Sequence, residues 1–190
     1  MNSSTEKPLL KVRGRTMLER VVHVLERSKL VSRIVVAVTE QSPETAVAAR
    51  RLGLEIIQTP GDSYESDMRW AIRKLGLGDV LLISADLPLV TVSIVDQAID
   101  RFKSSGKPAL SVMAPIELYE RLGLDPQFVS EIAGRRMVPI GINLLDGQMI
   151  DRGELEQEVL VSEEGSSLLN VNTPRELELA RRWRVSRCRR

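Results

Sequence analysis

The sequence predicts an α/β fold, a three-layer αβα sandwich built around a mostly parallel sheet. Three observations carry this. Short runs rich in β-branched and aliphatic residues, RIVVAV (33–38) and DVLLIS (79–84) among them, are too short for helices and continuous enough for strands buried on both faces. Stretches of ten to fifteen residues with helical spacing lie between them, which is the signature of βαβ units. No repeat, low-complexity tract or linker divides the 190 residues, so one domain spanning 1–190 is expected, with a basic tail at 181–190.

The elements follow in order. Residues 16–29 place Leu18, Val21, Val22 and Leu25 on one stripe, and Thr16 and Glu19 form a capping-box pair, so an amphipathic helix starts there. His23 falls off the stripe and reads as solvated. After the strand at 33–38, Ser42 and Pro43 open a helix as N-cap and first residue, and Gly53 closes it. LEIIQ (54–58) reads as a strand, TPGDSYES (59–66) as a loop and DMRWAIRKLG (67–76) as a helix ending at Gly76. The strand at 79–84 leads through ADLPLVT to a helix over 92–103, with Val92, Val95, Ile99 and Phe102 or Ala98 inward, and then to a strand at 108–115. Beyond it the pattern predicts a short helix near 117–122, no clear assignment to 137, strands at 138–145, 158–162 and 167–171, and a last helix from Pro174.

Composition narrows the function. The 27 basic and 26 acidic residues nearly cancel, which removes a chain-wide electrostatic case for nucleic acid or an anionic membrane. Six of the arginines sit in residues 181–190, where they read as helix-dipole partners and a frayed end rather than a phosphate-binding arm. A single Cys, Cys188, cannot form an internal disulfide, and without Cys/His clusters there is no structural zinc site. No secretory segment and no membrane span is present, so a cytoplasmic protein is expected. No G-x-G-x-x-G follows a strand, which disfavours a dinucleotide-dependent oxidoreductase.

In a sheet of this kind ligands gather beyond the carboxyl ends of the strands. Asp86 stands there, directly after the apolar strand and before Leu87-Pro88. A rigid carboxylate in that place suits magnesium, which needs only one or two protein oxygens beside water and phosphate; capping the helix at 92 or a turn before Pro88 is the plain alternative. At the two ends of the chain, Lys7 precedes Pro8 and could meet a phosphate, and Asn172 precedes Thr173-Pro174 and could offer a neutral oxygen to a metal. Taken singly, Lys7 reads as a surface lysine and Asn172 as an N-cap.

Together the ordered set E-K-P-L…G-R…L, L-x-S-A-D-L-P and N-V-N-T-P-x-E-L resembles the nucleotidyltransferases of the glycosyltransferase-A type, Rossmann-like enzymes that move a nucleotidyl group from a nucleoside triphosphate to a phosphate. Within them the sequence is most similar to the archaeal-type GTP:adenosylcobinamide-phosphate guanylyltransferases, in EKPLLKVRGRTMLERVV (6–22), TPGDSYESD (59–67), VPIGINLL (138–145) and LNVNTPRELELA (169–180). That family carries a strand and a Gly-rich loop, A-G-G-x-G-T-R-M, just upstream of E-K-P-L, where this sequence has only Met1 to Thr5. The expectation is that this strand and loop are absent, by truncation in preference to divergence, and that the neighbouring strands are left unpaired on an apolar edge.

The resemblance implies GTP and adenosylcobinamide phosphate as substrates, magnesium as cofactor, no nucleic-acid partner, and a homodimer as the assembly considered. It implies that Lys7 contacts the phosphates, that Asp86 holds the metal with Asn172 beside it, and that Gly61, Asp62, Tyr64 and Asp67 line the nucleotide pocket, Asp62 or Asp67 reading the guanine edge. Gly141 and Asn143 would border the acceptor, although Gly141 equally suits a bulge in a strand. A molybdopterin acceptor and a non-catalytic nucleotide- or partner-binding remnant are the competing readings.

Overall fold

A computed structural model describes residues 5–126, 128–163 and 169–183. The chain enters through a single 3₁₀ turn at Lys7–Leu9 and a small hairpin, β1 (Lys11–Val12) and β2 (Arg15–Thr16), reversed by Arg13 and Gly14, both at positive φ. Helix α1 (Met17–Arg27) follows, and the Thr16–Glu19 capping box is formed in both directions. Then come β3 (Val35–Val38), α2 (Pro43–Arg51), β4 (Glu55–Gln58), α3 (Tyr64–Leu75), β5 (Asp79–Ile83), α4 (Val92–Ser105) and β6 (Ala109–Pro115). The remainder comprises α5 (Ile116–Arg121), β7 (Ser130–Ile132), β8 (Arg135–Asp146), β9 (Gln157–Val161) and α6 (Pro174–Arg182). None of the described helices is long and apolar enough to cross a membrane.

The layers follow from side-chain alternation. On β5, Leu81 and Ile83 turn toward the large core cluster shared with α1 and α4, while Val80 and Leu82 turn to Ile72 and Met68 of α3. Helices therefore cover both faces. Strand β6 is buried at every position, as a continuous apolar run at the centre of a covered sheet should be.

The sheet itself departs from the expected mostly parallel form. Strand β8 lies between β5 and β6 and is antiparallel to both; β7 pairs antiparallel to β8, and only β9 joins β6 in parallel. The cause is the connection after β6. From β3 to β6 each link carries a full helix, and β3 with β4, and β5 with β6, run in the same direction. After β6 the chain uses the short α5 and the β7–β8 hairpin, turned at Ala133 and Gly134, which reverses direction.

Other boundaries also shift. Helix α3 starts at Tyr64, because Ser63 accepts the Ser66 N–H as N-cap, so the loop expected to run to residue 66 ends at 63. On α4 the fully buried residues include Ile94, while Val92 is only half-buried. The strand expected at 167–171 is not formed over 169–171, and its earlier part lies outside the described residues, as do Cys188 and most of the basic tail. His23 is exposed, as its place off the stripe requires.

A second break is larger. Strands β3 and β4 form a two-stranded parallel sheet of their own, separate from the five-stranded one; among the described residues β3 pairs only with β4, and β5 only with β8.

One packing contact sets a stability test. Gly147, buried just after β8, donates its N–H to Gly78 O at 2.8 Å, and a Cβ there would stand 2.3 Å from Leu77 O and 2.7 Å from Gly78 O. Backbone cannot swing aside as a side chain can. Gly147→Ala is expected to cost about 3 kcal/mol, at the upper end of ordinary single-residue effects, read as a lowered urea midpoint; an unchanged midpoint would show that the α3–β5 turn is free to move.

Candidate functional site

Lys7 and Asp86 meet beyond the carboxyl ends of the strands. The Lys7 ammonium donates to Asp86 Oδ2 and, at 2.7 Å, to Asn172 Oδ1. Residues 79 and 165 positions apart in sequence thus share one nitrogen. Each is held by a separate local device.

Asp86 is fixed through the backbone. Val171 donates its N–H to Asp86 O at 2.9 Å, Ser84 donates to Gly141 O at 3.0 Å, and Arg20 of α1 reaches the same loop through Pro88 O at 2.6 Å. The helix after the loop is capped by Thr91, which accepts the Ile94 N–H, so the plain reading of Asp86 as that helix's cap does not hold. Asn172 is likewise no cap. Thr173 caps α6, with Glu176 accepting from the backbone N–H of Asn172 and Thr173 at 2.6 and 2.7 Å, which frees the Asn172 side chain for Lys7.

Lys7 is positioned by its predecessor, a residue the sequence pattern passed over. The Glu6 carboxylate accepts the N–H of Glu44 and of Thr45, each at 2.8 Å, and so caps α2 from 38 residues away. Ser42, the expected cap, makes no such bond; its hydroxyl is spent on Thr39. Burial raises the Glu6 carboxyl, but the bonds from the Glu44 and Thr45 backbone N–H groups help to bring it below the ordinary value. Being depressed in the folded state, it contributes its full stability above the ordinary carboxylate value and loses it as pH falls from there through its lowered folded value. Glu6→Ala should cost about 1 kcal/mol of helix capping and, with Lys7 no longer anchored, lower turnover about tenfold. Glu6→Gln, which keeps one acceptor, should fall between. Thermal unfolding and initial rates check both; a variant with normal rate and lowered stability would make Glu6 a cap and nothing more.

The donor set suits a hard divalent cation. Asp86 Oδ1 and Asn170 Oδ1 are buried and have no hydrogen-bond partner among the described residues, while Asn172 Oδ1 nearby accepts from Lys7. An unpartnered buried carboxylate oxygen costs roughly 1–3 kcal/mol, a cost a bound cation would remove. Among the described residues no cluster of three or more His, Cys, Asp or Glu stands together. Asn170 was not singled out from sequence. It stands beside Gly141: a Cβ on Gly141, whose φ is +81°, would lie 3.1 Å from Ser84 and 3.7 Å from Asn170 Nδ2. The bulge reading of Gly141 is also met, since the β6–β8 register shifts between Ser111 and Met113.

The other expected residues are more scattered. Asn143 sits further along β8, opposite Leu82 and Ser111. Asp67 is turned onto its own loop, accepting the Gly61 N–H at 2.8 Å, and Gly61 needs its φ of +87° for that turn. Asp62 is exposed. Tyr64 is 66% exposed at the opening between β3 and β5. Of the two acids weighed as a base reader, Asp67 is engaged by Gly61, while Asp62 is exposed with no hydrogen bond among the described residues.

Residues 1–140 match the family model described as the MobA-like NTP transferase domain. The adenosylcobinamide-phosphate guanylyltransferase of Methanocaldococcus jannaschii is 29% identical over 185 residues, covering 92% of this chain and 87% of the relative. A probable molybdenum cofactor guanylyltransferase of Thermococcus gammatolerans is 26% identical over 104 residues, 55% of this chain and 52% of its own. In fold, the structure of a CMP:2-keto-3-deoxy-manno-octonic acid synthetase complexed with CTP superposes with a TM-score of 0.73 at 16% identity, over 95% of this chain and 92% of that one.

Proposed function

Because the chain belongs to the MobA-like NTP transferase family and is a nucleotidyltransferase, we propose that it transfers GMP from GTP to adenosylcobinamide phosphate and releases pyrophosphate. The observation that carries the reading is the convergence of Lys7, Asp86 and Asn172 on one point at the mouth of the sheet. The choice of acceptor leans on the guanylyltransferase relative, which aligns along nearly the whole chain, where the molybdenum cofactor relative aligns along about half.

The reaction needs no protein nucleophile. The acceptor phosphate oxygen is already anionic, so the protein's task is to hold it in line with the α-phosphate and to offset charge on the departing pyrophosphate. Lys7 is 36% exposed and tethered from both sides, a positive charge fixed before substrate arrives. Asp86 and Asn172 would hold magnesium, which when bound neutralises phosphate charge. The loop from Gly61 to Asp67 would receive the guanine, with Asp62 accepting from its N1–H and exocyclic amine. Gly141 leaves room beside Ser84 for the acceptor.

The test is a radiolabelled transfer assay with α-labelled GTP, magnesium, and either adenosylcobinamide phosphate or molybdopterin. Label appearing on the cobinamide, with equimolar pyrophosphate, is the expected result. Label on molybdopterin alone would move the acceptor to the second relative's class, and GTP binding without transfer to either would make the chain a nucleotide-binding protein only.

A further inference from the structure

Two helices of this chain open on a capping box, and they use it differently. At α1 the Glu19 carboxylate accepts one backbone N–H, that of its N-cap Thr16, at 2.6 Å. At α6 the Glu176 carboxylate accepts two through the same oxygen: that of its N-cap Thr173 at 2.7 Å, and that of Asn172, one residue outside the box, at 2.6 Å. Glu19 is half-buried, whereas Glu176 is 8% exposed and is the one charged side chain that is buried among the described residues. A helix cap needs neither the extra bond nor the burial, since the box at α1 does without both. A carboxylate taken out of water is costly unless it is bonded.

What the extra bond holds is Asn172. Three successive backbone N–H groups are tied there: Val171 to Asp86 O at 2.9 Å, then Asn172 and Thr173 to Glu176. The segment is thus pinned to the Asp86 loop on one side and to the first turn of α6 on the other. Asn172 is itself exposed, so packing does not set its side chain. With the backbone fixed, only its own side-chain torsions remain to place Oδ1, which accepts from the Lys7 ammonium at 2.7 Å.

We propose that Glu176 is a positioning residue for nucleotidyl transfer: it acts through Asn172, keeping Oδ1 on Lys7 so that the ammonium is already aimed when the triphosphate arrives. This rests on the chain being a GMP transferase. Reach, not charge, is what the task requires. One oxygen serves both N–H groups, and a neutral amide oxygen accepts them as a carboxylate does. Glu176→Gln keeps that reach without the charge, and Glu176→Asp keeps the charge but is one methylene short. Thr173→Val supplies the comparison for the cap alone: it removes the Oγ1 that accepts the Glu176 N–H at 3.2 Å and leaves both carboxylate bonds in place.

The test makes each variant in the whole chain and reads the thermal midpoint, kcat against KM for GTP, and the Asn172 side-chain amide signal in a proton–nitrogen correlation spectrum. Lys7→Ala marks where that signal falls once its bond is lost. Glu176→Ala and Thr173→Val should both lower the midpoint. Glu176→Ala and Glu176→Asp should lower kcat about 10–100-fold, leave KM nearly unchanged, and move the Asn172 amide to its Lys7→Ala position. Glu176→Gln and Thr173→Val should keep most of the rate and the original amide signal. The proposal is overturned if Thr173→Val loses as much rate as Glu176→Ala, if Glu176→Asp is normal where Glu176→Gln is not, or if the amide signal of Glu176→Ala stays where it is in the unaltered chain. Should the unaltered chain transfer no GMP, the transfer reading fails by itself, and the amide signal still decides whether Glu176 places Asn172.

Discussion

Replacing Asp86 by alanine is expected to lower the rate of nucleotidyl transfer by about 10²–10³-fold, the scale on which a single preorganised electrostatic group acts, while the thermal midpoint holds or rises. The second half is the more telling. Asp86 keeps one carboxylate oxygen buried with no hydrogen-bond partner among the described residues, and the whole side chain is only 18% exposed. A group kept for folding would be satisfied; this one costs stability where it stands. Its backbone duties, the bond from Val171 and the turn into Pro88, survive truncation because they use the carbonyl and the chain, not the carboxylate. Circular dichroism melts beside single-turnover transfer at saturating magnesium provide the check. A midpoint that drops by several degrees, or a rate that does not change, would remove Asp86 from the chemistry and return it to a structural part.

Much of this was legible in the sequence because it is local. The capping box at Thr16 and Glu19, the left-handed Gly76 after α3 and the continuous apolar run that became β6 are all written in neighbouring residues. The beginning of α3 was missed because Tyr64, Glu65 and Ser66 have the polar composition of a loop, and only the Ser63 cap marks them as a first turn. Strand direction is not local at all. An apolar strand has the same pattern whichever way it runs, so the run at 138–145 predicts a strand but not its direction, which the hairpin with β7 reverses. The three central site residues can be named from the residues themselves only separately, and in the sequence it is the family resemblance that joins them, since their contact depends on β5, α6 and the entry turn closing on one another. Glu6 was passed over for the same reason: its partners are the first N–H groups of a helix far along the chain, and an acid beside a lysine ordinarily signals a solvated surface.

Lys7→Ala is expected to fall by a comparable 10²–10³-fold in kcat with the GTP dissociation constant within about tenfold of normal, because a charge that acts mainly as the leaving group develops contributes to the transition state more than to the ground state. Lys7→Arg should not restore the rate. The ammonium is a compact donor shared between two oxygens on opposite elements, Asp86 and Asn172, and the planar guanidinium cannot occupy that point. Stability separates this substitution from the one at Asp86. Removing the lysine leaves a mostly buried carboxylate with neither oxygen bonded, so Lys7→Ala should lower the thermal midpoint where Asp86→Ala does not. Removing both should then recover what the lysine change lost, a non-additive pair of the kind expected for groups in direct contact. The full cycle, measured by denaturant unfolding and by pre-steady-state transfer, gives an asymmetric outcome that a plain surface ion pair could not produce: equal, additive losses of stability in the two single variants would mean that Lys7 and Asp86 only hold the ends of the sheet together.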